Sequence, residues 1–254
     1  MKWRRWAIAL VAAMAIGLGI LGWVQTSFIF PAPARGREPA YPEQVVHSEG
    51  ATFLYFNGKK VVAYFHGNAE DLADSIPMIS VLRTLGVGVL AVEYPGYGIA
   101  GGMPSEQGAY QAAETALRWL RSEQGIDRDR VVLLGQSLGT GVATEMARRG
   151  SGSRLILISP FTSVPDVARL RIPFLPASLV RHRFDNKAKA AGIDLPVLII
   201  HGTEDNVVPF SMGERLANLF PHAQLAPIQG GQHNDLLTVH ALSVRDALMP
   251  FMKL

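Results

Sequence analysis

Apolar residues form two kinds of pattern along this chain. From about residue 43 onward, short apolar runs recur, and between them lie stretches in which apolar residues return every three or four positions. The first pattern is typical of buried strands and the second of amphipathic helices. Strands that alternate with helices indicate right-handed crossovers and a mostly parallel sheet with helices on both faces. The sequence therefore predicts one α/β domain over residues 43–254.

Seven runs are predicted strands, and five stretches are predicted helices. The strands are ATFLYF (51–56), KKVVAYFHG (59–67), GVGVLAVEY (86–94), RVVLLG (130–135), RLILIS (154–159), LPVLIIHG (195–202) and AQLAPI (223–228). The helices cover about 70–85, 105–125, 138–149, 211–220 and 235–253. Asn57-Gly58 between the first two strands is typical of a two-residue turn, which predicts that these strands form an antiparallel hairpin at the start of the sheet.

A long uncharged apolar run stands near the N-terminus, between Arg5 and Arg35. As a helix, residues 6–24 would span roughly 28 Å, close to the hydrocarbon thickness of a bilayer. We therefore expect a signal-anchor transmembrane segment over residues 1–30, with a cleaved signal peptide as the alternative. The basic residues before the run predict a single-pass topology with the domain extracytoplasmic, on the periplasmic side in a bacterium. Four prolines in residues 31–42 predict an extended stalk.

Composition narrows the functional classes. With 48% hydrophobic and 18% charged residues the chain is globular rather than disordered. The net charge of +3 is small, and no basic run with interleaved aromatic residues favours nucleic-acid binding. Cysteine is absent, which excludes disulfides, thiolate nucleophiles and cysteine-based metal sites. We expect neither a metal nor an organic cofactor.

One serine stands between two glycines at the end of an apolar run. The segment GQSLG (135–139) fits the pattern G-x-S-x-G, follows a predicted strand and opens a predicted helix. This context is typical of a nucleophile elbow, whose glycines make room for a sharp turn that exposes the serine hydroxyl. A plain glycine-rich turn is the alternative. We predict that Ser137 is a nucleophile.

A serine hydroxyl needs a neighbouring base. Among seven histidines, His233 is the predicted base because it lies on a glycine-flanked loop between the last strand and the last helix. Asp205, after a late strand and before the histidine in chain order, is the predicted orienting acid. Glu204 is the second candidate for that role and Asp235 the third. His66 and His201 end strands, where we expect them to support local structure.

An acyl-transfer site also needs backbone N–H donors for the oxyanion. The amide of Leu138 directly follows the nucleophile and lies at a helix N-terminus, so it is the first predicted donor. The second is expected from the turn after the strand that ends at His66, and Asn68 is the predicted donor there. We expect Tyr97, Phe161 and Val207 to contact the substrate.

Six motifs carry a resemblance to a known family. They are FHGNAED (65–71), EYPGYGIAGGMPSEQG (93–108), GQSLGTGVA (135–143), SPFTSVPDVA (159–168), HGTEDNVVP (201–209) and GGQHND (230–235). In this order, residues 43–254 resemble the α/β-hydrolase superfamily, and more narrowly its membrane-anchored abhydrolase branch, which includes eukaryotic protein depalmitoylases and bacterial relatives. The resemblance implies an α/β-hydrolase fold and a Ser-Asp-His triad at Ser137, Asp205 and His233. Glu93, where relatives usually have Asp, is a departure, as is Pro95.

The resemblance also implies a lid, which here is short and covers about residues 160–195. Basic residues and an apolar patch in it suggest docking toward an anionic lipid surface, with two solvated helices as the alternative. The predicted function is hydrolysis of carboxylic esters or thioesters of a small acyl or lipid-like substrate. An aminopeptidase or amidase on the same fold and a non-catalytic membrane-tethered binding protein are the alternatives. The sequence does not predict an oligomeric state.

Overall fold

The computed structural model of the chain describes residues 25–27, 29–32 and 36–252. In this part of the chain, eight strands form one sheet, and seven α-helices lie between residues 76 and 252. Residues 25–27 and 29 are also helical. The apolar run predicted to be an anchor, residues 6–24, lies outside the described residues. Among the residues that are described, no helix has the length and apolar character needed to cross a membrane.

Strands and helices alternate as the hydrophobic pattern predicts. The strands are β1 (Val45–Ser48), β2 (Ala51–Phe56), β3 (Val61–Phe65), β4 (Gly88–Glu93), β5 (Val131–Gln136), β6 (Arg154–Ile158), β7 (Val197–Gly202) and β8 (Ala223–Ile228). The helices are α1 (Ile76–Thr84), α2 (Glu106–Gln124), α3 (Gly139–Arg148), α4 (Val164–Arg171), α5 (Asn186–Ala190), α6 (Phe210–Ala217) and α7 (Ala241–Met252).

The sheet has the strand order β1-β2-β4-β3-β5-β6-β7-β8. The pairs β1–β2 and β2–β4 are antiparallel, and every other neighbouring pair is parallel. The prediction of a mostly parallel sheet is therefore confirmed. Parallel strands end at the same edge of a sheet, which brings the residues after β3, β5 and β7 to one side of the molecule.

The predicted hairpin between β2 and β3 is wrong, because β4 lies between these two strands. Asn57 and Gly58 do not have the positive φ angles that a type I′ turn requires. Instead, the backbone at Gly58 passes so close to Gly88 that a Cβ on either glycine would overlap the other residue. The N-terminal hairpin joins β1 to β2 through Glu49 and Gly50, whose φ angles are 46° and 81°.

Each face of the sheet is covered by its own set of helices. In β3, Val61, Ala63 and Phe65 pack into the core that α2, α3 and α6 share, whereas Val62 and Tyr64 pack into the core formed with α1 and α7. All five residues are buried, as expected for a strand with helices on both sides. The prediction of helices on both faces is confirmed.

The connection between β6 and β7 contains the region predicted to be the lid, residues 160–195, which is called the cap below. It consists of α4, a 3₁₀ turn at Ala177–Leu179 and the short helix α5. Asn186 at the start of α5 donates from Nδ2 to the carbonyl oxygen of Phe161 (2.9 Å). Lys189 in α5 forms a 3.0 Å ion pair with Glu145 of α3. These contacts hold the C-terminal half of the cap against the domain.

The described part of the predicted stalk contacts the domain rather than extending from it. The amide of Gly36 donates to the carbonyl oxygen of Gly98 (3.0 Å). The guanidinium of Arg37 donates two hydrogen bonds to Asp74, of 2.8 and 2.9 Å. The 3₁₀ helix at Pro42–Gln44 then leads directly into β1.

Candidate active site

Ser137 lies in the sharp turn that joins β5 to α3. Its φ is +48°, a left-handed conformation that is unfavourable for residues other than glycine. The turn is held by the Ser137 amide, which donates to the carbonyl oxygen of Ile158 (2.9 Å), and by the Thr140 hydroxyl, which donates to the Ser137 carbonyl oxygen (2.6 Å). The side chain is half-buried. A strained serine held by its surroundings at the end of a buried strand is the geometry of a nucleophile elbow.

The two glycines of the motif allow this turn to close. A Cβ on Gly135 would overlap the carbonyl oxygen of Gly139, and a Cβ on Gly139 would overlap the carbonyl oxygen of Phe65. The second contact packs the start of α3 directly against the end of β3. The elbow and the turn that follows β3 are therefore neighbours.

His233 lies between Ser137 and Asp205. Its Nε2 is 2.9 Å from the Ser137 Oγ, and its Nδ1 is 2.8 Å from Oδ2 of Asp205. A carboxylate can only accept a hydrogen bond, so Nδ1 carries the proton and Nε2 is free to accept the serine proton. The side chain of His233 is only 10% exposed, which keeps this hydrogen-bond chain largely away from water.

Asp205 is buried and accepts hydrogen bonds at both carboxylate oxygens. Oδ1 accepts from the amides of Val207 (2.9 Å) and Val208 (2.8 Å), and Oδ2 lies 3.3 Å from Nε2 of His201 as well as beside His233. Burial alone would raise the pKa of Asp205, but the bonds from His201 and His233 hold that pKa well below its usual range. Asp205 is therefore ionised near neutral pH.

The other two acid candidates do not contact the imidazole of His233. Glu204 is exposed, and the structure places its backbone amide on the carbonyl oxygen of Gly231 (3.0 Å). Asp235 accepts from the amide of Gln232 (2.8 Å), which closes the turn on which His233 lies. Of the three candidates, only Asp205 is brought to the histidine.

The predicted oxyanion donors lie on the two adjacent turns. Leu138 immediately precedes α3, and Asn68 follows β3 in the turn that packs against the elbow. Within the described residues, neither backbone amide donates a hydrogen bond. The side-chain Oδ1 of Asn68 accepts from the hydroxyl of Tyr97 (3.0 Å), and the following residue, Ala69, has a φ of +60°. The turn after β3 is thus held in a specific conformation, and the backbone amide of Asn68 is available to donate to an oxyanion.

The three residues predicted to contact the substrate, Tyr97, Phe161 and Val207, differ in how far their side chains are exposed. Tyr97 is fully buried, and its hydroxyl holds Asn68, so its position is that of a support for the turn. Phe161 is also buried, with its carbonyl oxygen bonded to Asn186 of the cap. Val207 is 42% exposed beside Asp205, and of the three its side chain is the one open to solvent.

Glu70 is a residue of this site that sequence reasoning missed. Its Oε2 accepts from the amide of Gly67 (2.7 Å), and its Oε1 accepts from Nε2 of Gln136 (3.1 Å). Gln136 directly precedes the serine and accepts in turn from the hydroxyl of Tyr64 (2.8 Å). One carboxylate thus connects the turn after β3 to the elbow. Burial raises the pKa of Glu70, although nearby His66 and the Gly67 amide oppose that shift.

His66 and Glu93 form a buried pair behind the same turn. His66 Nε2 is 3.0 Å from Glu93 Oε1, and His66 Nδ1 is 2.9 Å from the carbonyl oxygen of Gly67. The second oxygen of Glu93 accepts from the amide of Leu72 (3.1 Å). Burial lowers the pKa of His66, but the hydrogen bond and charge of Glu93 outweigh this and raise it above its usual value. The supporting role expected for His66 agrees with this position.

The sequence contains a signal for each of these supporting residues, although a weak one. Glu70 stands three residues after Gly67, close enough to turn back onto its amide, and Glu93 ends the strand next to β3. His201 stands four residues before Asp205 and is fully buried, with Nε2 bonded to the carbonyl oxygen of Val208 (2.9 Å). Spacing alone does not identify such pairs, because each depends on a turn whose shape is known only from the structure.

A doubly covered, mostly parallel sheet with a nucleophile elbow after its fifth strand defines the class of α/β hydrolases. The sequence profile described as "Alpha/beta hydrolase family" matches residues 64–191. The chain belongs to this family, as the motifs in the sequence indicated.

Relatives extend the similarity over most of the chain. An uncharacterized protein of Mycobacterium tuberculosis strain H37Rv is 31% identical over an alignment of 262 residues, gaps included. The alignment covers 96% of this chain and 93% of that protein. The human alpha/beta hydrolase domain-containing protein 17B is 37% identical over 185 residues, which cover 71% of this chain and 62% of the human protein.

Solved structures share the fold at lower identity. An esterase of Pyrococcus furiosus superimposes with a TM-score of 0.70 at 19% identity, over 87% of this chain and 96% of the esterase. A monoacylglycerol lipase of Paleococcus ferrophilus superimposes with a TM-score of 0.63 at 19% identity, over 80% of this chain and 98% of the lipase. At this level of identity the likeness concerns the fold.

Proposed function

We propose that this protein is a serine hydrolase that cleaves carboxylic esters or thioesters of a small acyl or lipid-like substrate. The observation that carries the proposal is the hydrogen-bond chain from Asp205 through His233 to Ser137, with distances of 2.8 and 2.9 Å. The positive φ of the serine supports the same role. The relatives and structural neighbours described as hydrolases, esterases and lipases are consistent with it.

In the first half of the reaction, the Oγ of Ser137 attacks the substrate carbonyl carbon while Nε2 of His233 accepts the serine proton. The carboxylate of Asp205 keeps the imidazole in the required tautomer and stabilises its charged form. The amides of Leu138 and Asn68 donate to the tetrahedral oxyanion, where one such donor is typically worth about 2.7–4 kcal/mol. Collapse of this intermediate expels the alcohol or thiol, which takes the proton from His233, and leaves an acyl-enzyme.

In the second half, water attacks the acyl-enzyme while His233 accepts a proton from it. A second tetrahedral intermediate forms on the same amides and collapses to release the carboxylic acid. Ser137 recovers its proton from His233, so the enzyme returns to its starting state.

Covalent labelling tests the nucleophile. A fluorophosphonate probe is expected to label the wild-type protein and to leave Ser137→Ala unlabelled, whereas Ser153→Ala, a variant of a serine in the turn before β6, keeps full labelling. His233→Gln is expected to lose labelling while remaining folded by circular dichroism. Equal labelling of Ser137→Ala and wild type would overturn the assignment, and no labelling of wild type would favour a binding protein.

The bond that is cleaved requires a separate measurement. A panel of p-nitrophenyl esters, acyl thioesters and peptide anilides, assayed with wild type and Ser137→Ala, is expected to show turnover of esters or thioesters well above that of anilides. Anilide turnover equal to ester turnover would favour the amidase alternative. An activity-based comparison of lipids from cells with each form would then identify the acyl group.

We also propose that the domain is anchored in a membrane by the apolar run at residues 6–24 and lies on the extracytoplasmic side. Support comes from the length of that run and the basic residues before it. The full chain is expected to stay with membranes in alkaline carbonate, and release by carbonate alone would contradict a spanning anchor.

A further inference from the structure

Exposed large apolar side chains concentrate on one part of the cap. Phe174 is 95% exposed and Ile172 is 57% exposed, although both lie in a domain with two well-packed cores. Leu170 and Leu179 are also exposed, about half of each side chain being open to solvent. An exposed apolar cluster of this kind on a folded domain marks a surface that contacts another apolar phase or partner.

Basic residues stand beside these apolar ones in the sequence. Residues 167–184 contain four arginines and no acidic residue. The cap patch, as it is called below, comprises Leu170, Ile172, Phe174 and Leu179 together with Arg169, Arg171, Arg181 and Arg183. Arg169 and Arg183 reach Asp166 (3.6 Å) and Asp185 (3.3 Å), whereas Arg171 and Arg181 form no ion pair within the described residues.

The N-terminal segment joins the domain at this same patch. The side chain of Gln25 donates to the carbonyl oxygen of Leu179 (2.8 Å) and accepts from the amide of Arg181 (3.1 Å). Phe30 is buried, with its ring 5.1 Å from that of His182 and 6.0 Å from that of Phe184. Gln25 is the first residue after the apolar run at 6–24. The chain that emerges from that run is thus bonded to the cap patch.

We propose that the cap patch docks onto an anionic bilayer, with the ring of Phe174 in the interfacial region and the arginines at the lipid headgroups. Apolar side chains beside Lys or Arg are the composition by which a protein surface binds anionic lipid. Arg171 and Arg181, which lack carboxylate partners among the described residues, supply the charge complementarity. The contact between Gln25 and Leu179 fixes the patch at the point where the predicted anchor meets the domain.

The cap that carries this patch is also connected to the elbow. Asn186 of the cap donates to Oγ1 of Thr140 (3.3 Å), whose hydroxyl donates to the carbonyl oxygen of Ser137. The cap is therefore bonded to the turn that carries Ser137. Lipid docking of the cap patch does not depend on the proposed hydrolysis and is measured without an activity assay.

Because the chain has no cysteine, a single introduced cysteine can be labelled without background. Phe174→Cys is labelled with an environment-sensitive fluorophore, and the full chain is reconstituted into vesicles of phosphatidylcholine with or without phosphatidylglycerol. Leu242→Cys is the matched control, since Leu242 is an apolar residue that is 67% exposed on α7, the helix that packs on the other face of the sheet.

We expect the label at position 174 to shift its emission to shorter wavelength in vesicles that contain phosphatidylglycerol and to be quenched by brominated lipid, with no change at position 242. In the same background, Arg171→Gln combined with Arg181→Gln is expected to weaken insertion, by roughly fivefold per arginine. A label at position 174 that stays as water-exposed as the control would overturn the proposal.

Two other outcomes would also overturn it. An equal shift in vesicles without phosphatidylglycerol would show that insertion is apolar and independent of anionic lipid. A shift without vesicles that grows with protein concentration would show that the cap patch binds a second copy of the chain.

Discussion

At the scale of single residues, the candidate triad is supported by a carboxylate that takes no part in it. Glu70 joins the amide of Gly67, in the turn that carries Asn68, to the side chain of Gln136, next to Ser137. Both bonds involve an ionised acceptor, which makes them stronger than neutral hydrogen bonds. We interpret Glu70 as a positioning residue that sets the distance between the two predicted oxyanion donors.

Glu70→Gln tests this role. The amide has only one acceptor oxygen, so it can keep one of the two bonds and must lose the other. We expect kcat to fall at least about tenfold with little change in KM. The free energy of unfolding should fall by about 1.5–3 kcal/mol, the usual contribution of one hydrogen bond to a charged group, which leaves the protein folded at the assay temperature. Glu214→Gln, at an exposed position on α6, is the control. A proportionate loss of kcat and of folded protein would instead indicate a structural role.

His66 and Glu93 give a prediction about pH. Because the pKa of His66 is raised in the folded state, its protonation contributes stability that is present below the ordinary histidine value and is lost as pH rises through the folded value. Wild type is therefore expected to lose unfolding free energy as pH rises above about 6.5, and Glu93→Gln to lose that dependence and about 1–3 kcal/mol at the acidic end. Urea unfolding at several pH values measures both. Parallel curves for the two proteins would contradict the assignment.

At the scale of elements, the β5–α3 elbow could be predicted from sequence, but the pairing of β2 could not. The elbow is a local feature, since a strand, a G-x-S-x-G turn and a helix follow one another within about twenty residues. The partner of β2 is β4, more than thirty residues away, whereas Asn57-Gly58 resembles a hairpin turn. A glycine needed for a close backbone approach and a glycine needed for a turn look the same in a sequence.

Gly139→Ala tests the close contact between the elbow and β3. The new methyl group would overlap the carbonyl oxygen of Phe65, and because both partners are backbone, neither can move away cheaply. We expect a loss of about 1–3 kcal/mol in unfolding free energy and loss of fluorophosphonate labelling. Gly101→Ala is the matched control, because a Cβ at Gly101 meets open space. Labelling of Gly139→Ala at the wild-type rate would show that the contact is not required.

At the scale of the whole molecule, the boundary between the N-terminal segment and the domain differs from the expected one. From the apolar run at 6–24 and the basic residues before it, the sequence predicts an anchor over residues 1–30. In the structure, Phe30 is buried against His182 and Phe184 of the cap, so it belongs to the core of the domain. Hydropathy does not distinguish a side chain buried in protein from one buried in lipid, and only the tertiary contacts separate them.

This boundary predicts how far the N-terminus can be shortened. A chain that begins at residue 25 keeps Gln25 and Phe30 and is expected to fold, whereas one that begins at residue 33 lacks a ring that is 3% exposed in the folded protein. We expect the shorter chain to be less stable by about 3–5 kcal/mol, the usual cost of removing a buried Phe side chain. Urea unfolding of the two truncated proteins measures the difference.

Phe30→Ala in the chain that begins at residue 25 is the matched control, because it removes the ring and keeps the rest of the segment. It is expected to reproduce most of the difference, with the remainder due to the two hydrogen bonds of Gln25 to the cap. Equal stability of the two truncated chains would mean that the N-terminal segment does not hold the cap. The orientation of the cap patch toward the membrane would then need another cause, since it depends on the contact of that segment with Leu179 and Arg181.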